Sequence, residues 1–351
     1  MNNRIEKLID LMEKDGLDAV MLSGKANIFY FSGFTSEDAT LIITKKEQFI
    51  ITDFRYYDQA RLQAKDYVLV DVKGGIQNVL TSTASKNVGV EDTVITLFEY
   101  NTLTQSNKSV SFTGMADKIN LLRMIKDKSE LETIKTAEMI ASNAFEQVLP
   151  FIKPGITERN IAVMLERYMA ESGASGTSFE TIVASGERGS MPHGTASDRI
   201  IQCGDLVTMD FGCVYNGYCS DMTRTVAIGN ISDEKKTVYN IVKDAQQNAL
   251  DAIKPGMICS DVDSVARDYI SEQGYSKCFG HGLGHGVGVE IHEKPNLSLK
   301  CDIKLEPDMV VTVEPGIYIA GKFGVRIEDL VRVTEDGFEN FTKSSKELLI
   351  I

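Results

Sequence analysis

Four carboxylates and four histidines of this 351-residue chain stand in settings suited to metal-assisted chemistry. Asp210 and Asp221 flank Asn216-Gly217, and Asn-Gly between apolar runs is the strongest short signal for a two-residue hairpin turn. The two strands should span Leu206–Val226, pairing Tyr215 with Tyr218, Gly212 with Asp221 and Asp210 with Thr223. Side chains alternate along a strand, so Asp210 and Asp221 fall on one face as diagonal neighbours. Their Cβ atoms would then be at most roughly 7–8 Å apart. Gly212 between them should leave room for a ligand. A second set follows: Met309–Glu314 reads as a buried strand ending at Pro315-Gly316, a turn falls around Gly321–Gly324, and Val325–Val331 carries Glu328. Four inward carboxylates repel one another and are costly to bury unpaired. A pair of divalent cations removes that cost.

All four histidines lie close to these strands in sequence. His193 follows Pro192, His281 and His285 share a glycine-rich run from Gly280 to Gly286, and His292 precedes Glu293. A spacing of four could put His281 and His285 on one helix face, but the surrounding glycines make a helix costly. A loop that brings backbone close to a ligand is the better expectation. The run Asp210-Phe211-Gly212 resembles a kinase motif, but no His-Arg-Asp loop or phosphate-binding glycine loop accompanies it.

These groups need a scaffold, and the sequence contains a repeat that could supply it. Leu149–Gly155 is echoed by Leu250–Gly256, and the same offset of 101 residues aligns Tyr168 with Tyr269 and Gly173 with Gly274. Each copy reads as helix, Pro-Gly turn, second helix and glycine stop, followed by a loop and a strand pair. Two such halves facing each other would place a site at their pseudo-two-fold interface. Ahead of them, Ser129 and Glu132 have the spacing of a helix capping box, with an apolar face through Leu131, Ile134, Ile140, Phe145 and Val148. Residues 1–122 are expected to form a smaller α/β domain and residues 123–351 the catalytic domain. The first opens with a helix over Arg4–Asp15 that stops at Gly16, and continues with strands near Ala19–Leu22, Leu41–Thr44, Phe49–Thr52 and Val68–Val72.

Composition narrows the function classes. Acidic residues outnumber basic ones 50 to 37, for a formal net charge of −13. That field repels phosphate backbones, so no nucleic-acid partner is expected. No apolar run approaches the ~20 residues of a membrane span, and the start leads into an amphipathic helix, so the expectation is a cytoplasmic protein with no membrane partner. Six cysteines without a Cys-x-x-Cys pair read as reduced thiols.

Pro192-His193-Gly194, the His281/His285 glycine loop and Ile291-His292-Glu293, together with the four carboxylates, resemble the metallopeptidases of the pita-bread fold. Asn27–Phe34 is similar to the creatinase-type N-terminal domain of their Xaa-Pro branch. The resemblance implies an α/β chain with a duplicated pita-bread domain behind a creatinase-like one. It implies metal ligands at Asp210, Asp221, His285, Glu314 and Glu328. It further implies Glu314 as proton shuttle, His193 and His292 as donors to the substrate carbonyl, Arg326 as an orienting partner of the carboxylates, and His281 as a wall of the proline pocket. Carboxylates with one imidazole suit hard ions, and the family favours two Mn²⁺, with Co²⁺, Zn²⁺ or Fe²⁺ as alternatives. The expected activity is aminopeptidase P-like cleavage of the Xaa-Pro bond by a hydroxide bridging the metals, with Xaa-Pro dipeptidase (prolidase) as the alternative. Methionine aminopeptidase activity, disfavoured by Arg326 and Asp329, and a non-catalytic peptide-binding homologue are more remote. The expected partners are a peptide with proline at its second position and a second copy of the chain.

Overall fold

A computed structural model describes residues 2–351, which form two compact units divided between Arg123 and Met124. Among the described residues no helix is long and apolar enough to cross a membrane, and the six cysteines are free thiols.

The N-terminal unit opens with helix α1 (Asn2–Lys14), which buries Leu8 and Met12 and ends at Gly16, φ +67°. Strands β1 (Ala19–Leu22), β2 (Thr40–Thr44), β3 (Gln48–Thr52), β4 (Val68–Asp71), β5 (Asn87–Val90) and β6 (Ser111–Gly114) form one sheet in the order β4-β3-β2-β1-β5-β6. The first three pair antiparallel through short connections. Parallel pairs need a crossover, and α3 (Tyr57–Gln63) and α5 (Leu97–Ser106) supply it for β3–β4 and β5–β6. Between β1 and β2 lies α2 (Lys25–Ser32), and α4 (Gly75–Ser82) and α6 (Ala116–Leu121) complete the unit. The buried Glu91 carboxylate accepts the backbone N–H groups of Ser23 (2.6 Å) and Gly24 (2.8 Å) and the Asn27 amide (2.6 Å), which fixes the start of α2.

The C-terminal unit begins with α7 (Lys128–Val148). Its cap is Asp127 with Glu130, two residues before the expected Ser129/Glu132 box. Asp127 Oδ1 accepts from the Ser129 and Glu130 backbone N–H groups at 2.8 and 3.0 Å, and Glu130 answers the Asp127 N–H at 2.8 Å. The sequence holds two overlapping boxes, and Asp127 draws the Ser129 hydroxyl into the first (2.6 Å). Leu131, Ile134, Ile140, Phe145 and Val148 are all buried, as the helical spacing requires.

The repeat is visible in the elements themselves. Helices α8 (Glu158–Glu171) and α10 (Cys259–Glu272) begin and end 101 residues apart, and α9 (Asp233–Ala252) occupies in the second half the place of α7 in the first. The turns before them carry Gly155 at φ +98° and Gly256 at φ +86°, backbone that an L side chain rarely adopts.

Strands then deliver the chemistry-bearing residues. In the first half these are β7 (Gly176–Thr177), β8 (Ile182–Ser185), β9 (Leu206–Phe211), β10 (Cys213–Tyr215), β11 (Tyr218–Cys219) and β12 (Met222–Ala227). Asn216 and Gly217 have φ of +47° and +82°, the left-handed pair a type I′ turn needs. Tyr215 faces Tyr218 and Asp210 faces Thr223, in the expected register. The strand pair is nevertheless not continuous. It breaks at Gly212, where β10 and β11 leave with β7 while β9 and β12 stay with β8. A Cβ at Gly212 would lie 1.9 Å from the Ser220 carbonyl oxygen and 2.5 Å from Ser178 Oγ. Gly212 therefore permits a close backbone approach and does not clear space for a ligand, contrary to the sequence expectation.

The second half holds β13 (Gly284–Gly286), β14 (Glu293–Leu297), β15 (Val310–Val313), β16 (Gly316–Ile319), β17 (Phe323–Arg326), β18 (Asp329–Val333) and β19 (Phe338–Asn340). It repeats the break: β16–β17 form a separate hairpin while β15 and β18 pair antiparallel. Asp221 sits between β11 and β12, and Glu328 between β17 and β18. The halves meet where Glu328 N donates to Thr223 O at 3.1 Å. Beside that junction the buried Arg224 donates to Asp329 Oδ1 at 2.7 Å and to the Glu328 carbonyl at 2.5 Å. Each half packs its own apolar cluster behind the strands, around Phe145, Leu165 and Phe211 in the first and Val242, Val262 and Val311 in the second.

Candidate active site

A cavity of about 520 Å³ in the C-terminal unit is lined by all nine residues singled out in the sequence: His193, Asp210, Asp221, His281, His285, His292, Glu314, Arg326 and Glu328. Phe179, Ile182 and Ile291 supply apolar wall. Asp210 near the end of β9, Glu314 just after β15, and Asp221 and Glu328 in the gaps before β12 and β18 all reach this one cavity.

The carboxylates are deep, and their partners differ. Asp221 and Glu328 are buried, and with His285 they offer three donor atoms within 4.8 Å of one another. His285 Nε2 lies 3.5 Å from Asp221 Oδ2 and 3.4 Å from Glu314 Oε1. The Thr223 hydroxyl donates to Glu328 Oε2 at 2.7 Å and the Thr312 hydroxyl to Glu314 Oε1 at 3.3 Å. Arg326 Nη2 pairs with Asp210 Oδ2. The sequence expectation made Arg326 an orienting partner of the carboxylates; the one it pairs with is Asp210, in the opposite half.

Burial and then the neighbouring Glu328 push the Asp221 carboxyl well above the usual carboxylate range. Burial raises Glu314 to about 8, and burial with the charge of Glu314 raises Glu328 well above its ordinary value. His285 and His281 are held down to about 4, chiefly by burial. The tautomer of His285 follows from its contacts: Nδ1 lies 3.1 Å from the Gly286 carbonyl, which can only accept. Nδ1 therefore carries the proton, and the lone pair of Nε2 faces the carboxylates.

Asp210 Oδ1, Asp221 Oδ1 and Glu328 Oε1 are buried with no hydrogen-bond partner. Buried acceptors left unpaired are rare because each loses its water without compensation. Three at one place, beside a neutral imidazole lone pair and a fourth buried carboxylate, fit divalent cations bound among oxygen donors.

Two residues around this cluster were not anticipated. Tyr318 OH donates to His281 Nε2 at 2.9 Å and accepts from Arg326 Nη1 at 2.8 Å, so His281, Tyr318, Arg326 and Asp210 form one polar chain. Burial raises Tyr318 to about 12, which keeps its proton. The signal was available, since Gly316 faces Arg326 and Tyr318 faces Gly324 across β16–β17, giving Tyr318 and Arg326 a shared face. Glu138, on α7, accepts the Asp221 backbone N–H at 3.2 Å; nothing local in the sequence marks it. His193 and His292 are exposed at the open side of the cavity, while His281 and His285 are partly buried. His292 packs edge-on to His285, ring centroids 4.4 Å apart. Asp329 points away, bound to Arg224, Gln246 and Asn340.

Residues 132–335 match metallopeptidase family M24, and residues 4–125 match the creatinase/prolidase N-terminal domain. The chain belongs to family M24. It is a metallopeptidase of the duplicated pita-bread fold with a creatinase-like N-terminal domain, and the family implies divalent metal ions. A Xaa-Pro dipeptidase of Pyrococcus furiosus is 40% identical to it over 360 residues, covering 99% of this chain and 100% of the relative. Two solved structures are similar over nearly the whole chain. The Xaa-Pro dipeptidase from Bacillus anthracis superposes with a TM-score of 0.97 at 42% identity, covering 99% of both chains. The X-Pro aminopeptidase from Thermotoga maritima MSB8 superposes with 0.93 at 40% identity and the same coverage.

Proposed function

We propose that this M24 metallopeptidase is an Xaa-Pro dipeptidase, with metal ligands Asp210, Asp221, His285, Glu314 and Glu328. What carries the reading is the convergence of these five groups from both halves, with three buried carboxylate oxygens left without a hydrogen-bond partner. Two divalent ions, Mn²⁺ by preference, would polarise the scissile carbonyl and bring the pKa of water toward neutrality. The protein's own groups do the rest. Glu314 takes the proton from the attacking water and returns it to the leaving proline nitrogen. His193 and His292, at the open side, donate to the carbonyl oxygen as its charge develops. Arg326 holds Asp210 in place through their ion pair, and His281, fixed by Tyr318, forms a wall of the proline pocket.

The dipeptidase reading, rather than the aminopeptidase P-like one expected from the sequence, follows the names of the Pyrococcus and Bacillus relatives. An aminopeptidase reading stands second. The Thermotoga relative bears that name, and the guanidinium of Arg326 is already engaged by Asp210, Tyr318, Thr223 and the Pro192 carbonyl. Such an arginine is not free to take the carboxylate of a dipeptide. Hydrolysis of Ala-Pro against Ala-Pro-Ala by Mn²⁺-loaded protein, with Asp221→Ala as control, separates the two. Cleavage of the dipeptide alone supports the dipeptidase; efficient cleavage of the tripeptide moves the assignment to an aminopeptidase.

A further inference from the structure

Two histidine-bearing segments of the cavity, the one with His193 and the one with His281 and His285, are each tied to a helix behind them by a buried carboxylate and an arginine. In the first half the carboxylate is Glu158, the first residue of α8 and fully buried. It accepts from the backbone N–H and hydroxyl of Ser185, both at 2.7 Å, and from those of Ser197 at 3.1 and 2.6 Å. One side chain thus closes both ends of the loop that carries His193. Arg188 completes it, pairing with Glu158 and donating through Nη2 to the Thr195 carbonyl at 2.8 Å. Thr195 N in turn donates to His193 O at 2.9 Å.

The second half reaches the same result with other residues. Asp263 on α10, also fully buried, accepts the Leu283 backbone N–H at 2.9 Å and two Arg267 donors at 2.7 and 2.9 Å. Arg267 donates onward to the carbonyls of Phe279 (3.1 Å) and His281 (2.7 Å) and lies 4.4 Å above the Phe279 ring. The loop entering His281 and His285 is held by that pair. None of the four residues lines the cavity. Nor are the pairs copies of one contact, because the repeat offset of 101 carries Glu158 to Cys259 and Asp263 to Ala162. Buried ion pairs are weak sources of stability compared with apolar packing. Both of these instead direct hydrogen bonds to backbone atoms of the two loops, Glu158 adding the hydroxyls of Ser185 and Ser197.

We propose that Glu158–Arg188 and Asp263–Arg267 are positioning pairs for hydrolysis, aiming His193 from one side of the cavity and His281 with the His285 loop from the other. The proposal rests on the peptidase reading above.

The test uses the full-length, metal-loaded chain carrying Arg188→Ala or Arg267→Ala, with kcat and KM for Ala-Pro, bound metal, and amide hydrogen exchange across residues 185–197 and 279–285. Arg159→Ala is the control, because that arginine pairs with Asp198 at the surface, side chains 58% and 81% exposed, and such pairs contribute little. Losses in kcat of about 10–100-fold are expected, in the range for residues that orient ligands, with smaller changes in KM. Exchange should quicken in the affected loop alone. The Arg188 and Arg267 side chains are 22% and 23% exposed, so free guanidinium at sub-denaturing concentration can reach the vacated place and should restore part of kcat. Should an alanine variant fail to fold, the lysine variant decides: one ammonium cannot serve Glu158 and the Thr195 carbonyl together, so Arg188→Lys should still lose kcat. Wild-type kcat in the folded variants overturns the proposal. So does a loss that follows global stability and is not restored by guanidinium. Absence of Xaa-Pro turnover in the wild-type chain sinks the peptidase reading itself, a result separate from any behaviour of the variants.

Discussion

In the first half of the C-terminal unit two aspartates reach the cavity, and in the second half two glutamates do. The strand breaks are equivalent, so the extra methylene of glutamate has to be controlled, and threonine hydroxyls do this: Thr223 for Glu328 and Thr312 for Glu314. The partners mostly cross between halves. Arg326 of the second half pairs with Asp210 of the first, Thr223 of the first donates to Glu328 of the second, and His285 of the second faces Asp221 of the first. Neither half is complete alone. The asymmetry lies in the histidines, one from the first half and three from the second, which lets a two-fold frame hold a substrate that has no such symmetry.

The sharpest way to break this comparison is to remove one carboxylate from each half. Asp221→Asn and Glu328→Gln should each lower kcat/KM on the order of 10³-fold or more. Because the groups act as a unit, the double variant should cost little beyond either single one. Additive losses in steady-state kinetics would mean two independent sites. Next in size is Tyr318→Phe, which cuts the chain from His281 to Arg326 while keeping the ring. A drop in kcat of about 10–100-fold is expected, and unchanged kcat would leave Tyr318 a packing residue.

Two glycines test the scaffold, one in each half. A Cβ at Gly212 meets the Ser220 carbonyl at 1.9 Å, and one at Gly284 meets the Thr312 carbonyl at 2.0 Å. Alanine at either should cost at least about 1–3 kcal/mol, the usual range for overpacking, read as a fall in denaturant midpoint. By contrast, Gly155→Ala and Gly256→Ala meet nothing within 4 Å. They should cost about 1–2 kcal/mol each through their left-handed φ alone, and equal values would support the equivalence of the two turns.

The metal-free protein gives a pH test of the crowded carboxylates. Glu314 is raised from 4.5 to about 8, and Asp221 and Glu328 are raised too. The folded state then binds more protons than the unfolded one, so stability falls as pH rises from the ordinary carboxylate range through about 8. Chelator-treated protein should melt at lower temperature at pH 8 than at pH 6, and divalent metal should restore more at the higher pH. A flat profile would show that the carboxylates do not crowd.

Much of this was legible in the sequence, and the reasons are specific. Asn216-Gly217 fixes the register that sets Asp210 opposite Thr223, because a two-residue turn leaves no slack. The repeated Lys-Pro-Gly turns announce α8 and α10, whose bounds keep the offset of 101 residues. The break at Gly212 was not legible, since the atom that demands it belongs to Ser220 across the hairpin. Glu138, Glu158 and Asp263 were missed for a related reason. Each acts through a hydrogen bond to a residue brought near only by the tertiary fold, and a buried acid on a helix looks in sequence like any solvated one. The cap of α7 shifted by two residues because two boxes overlap and only backbone geometry chooses between them.

The most direct test is the metal dependence of Ala-Pro hydrolysis, measured with bound metal counted in the same samples. Turnover should vanish on stripping with a chelator and return with Mn²⁺ as occupancy approaches two ions per chain. Undiminished turnover by metal-free protein would contradict a site built from carboxylates of both halves around divalent ions.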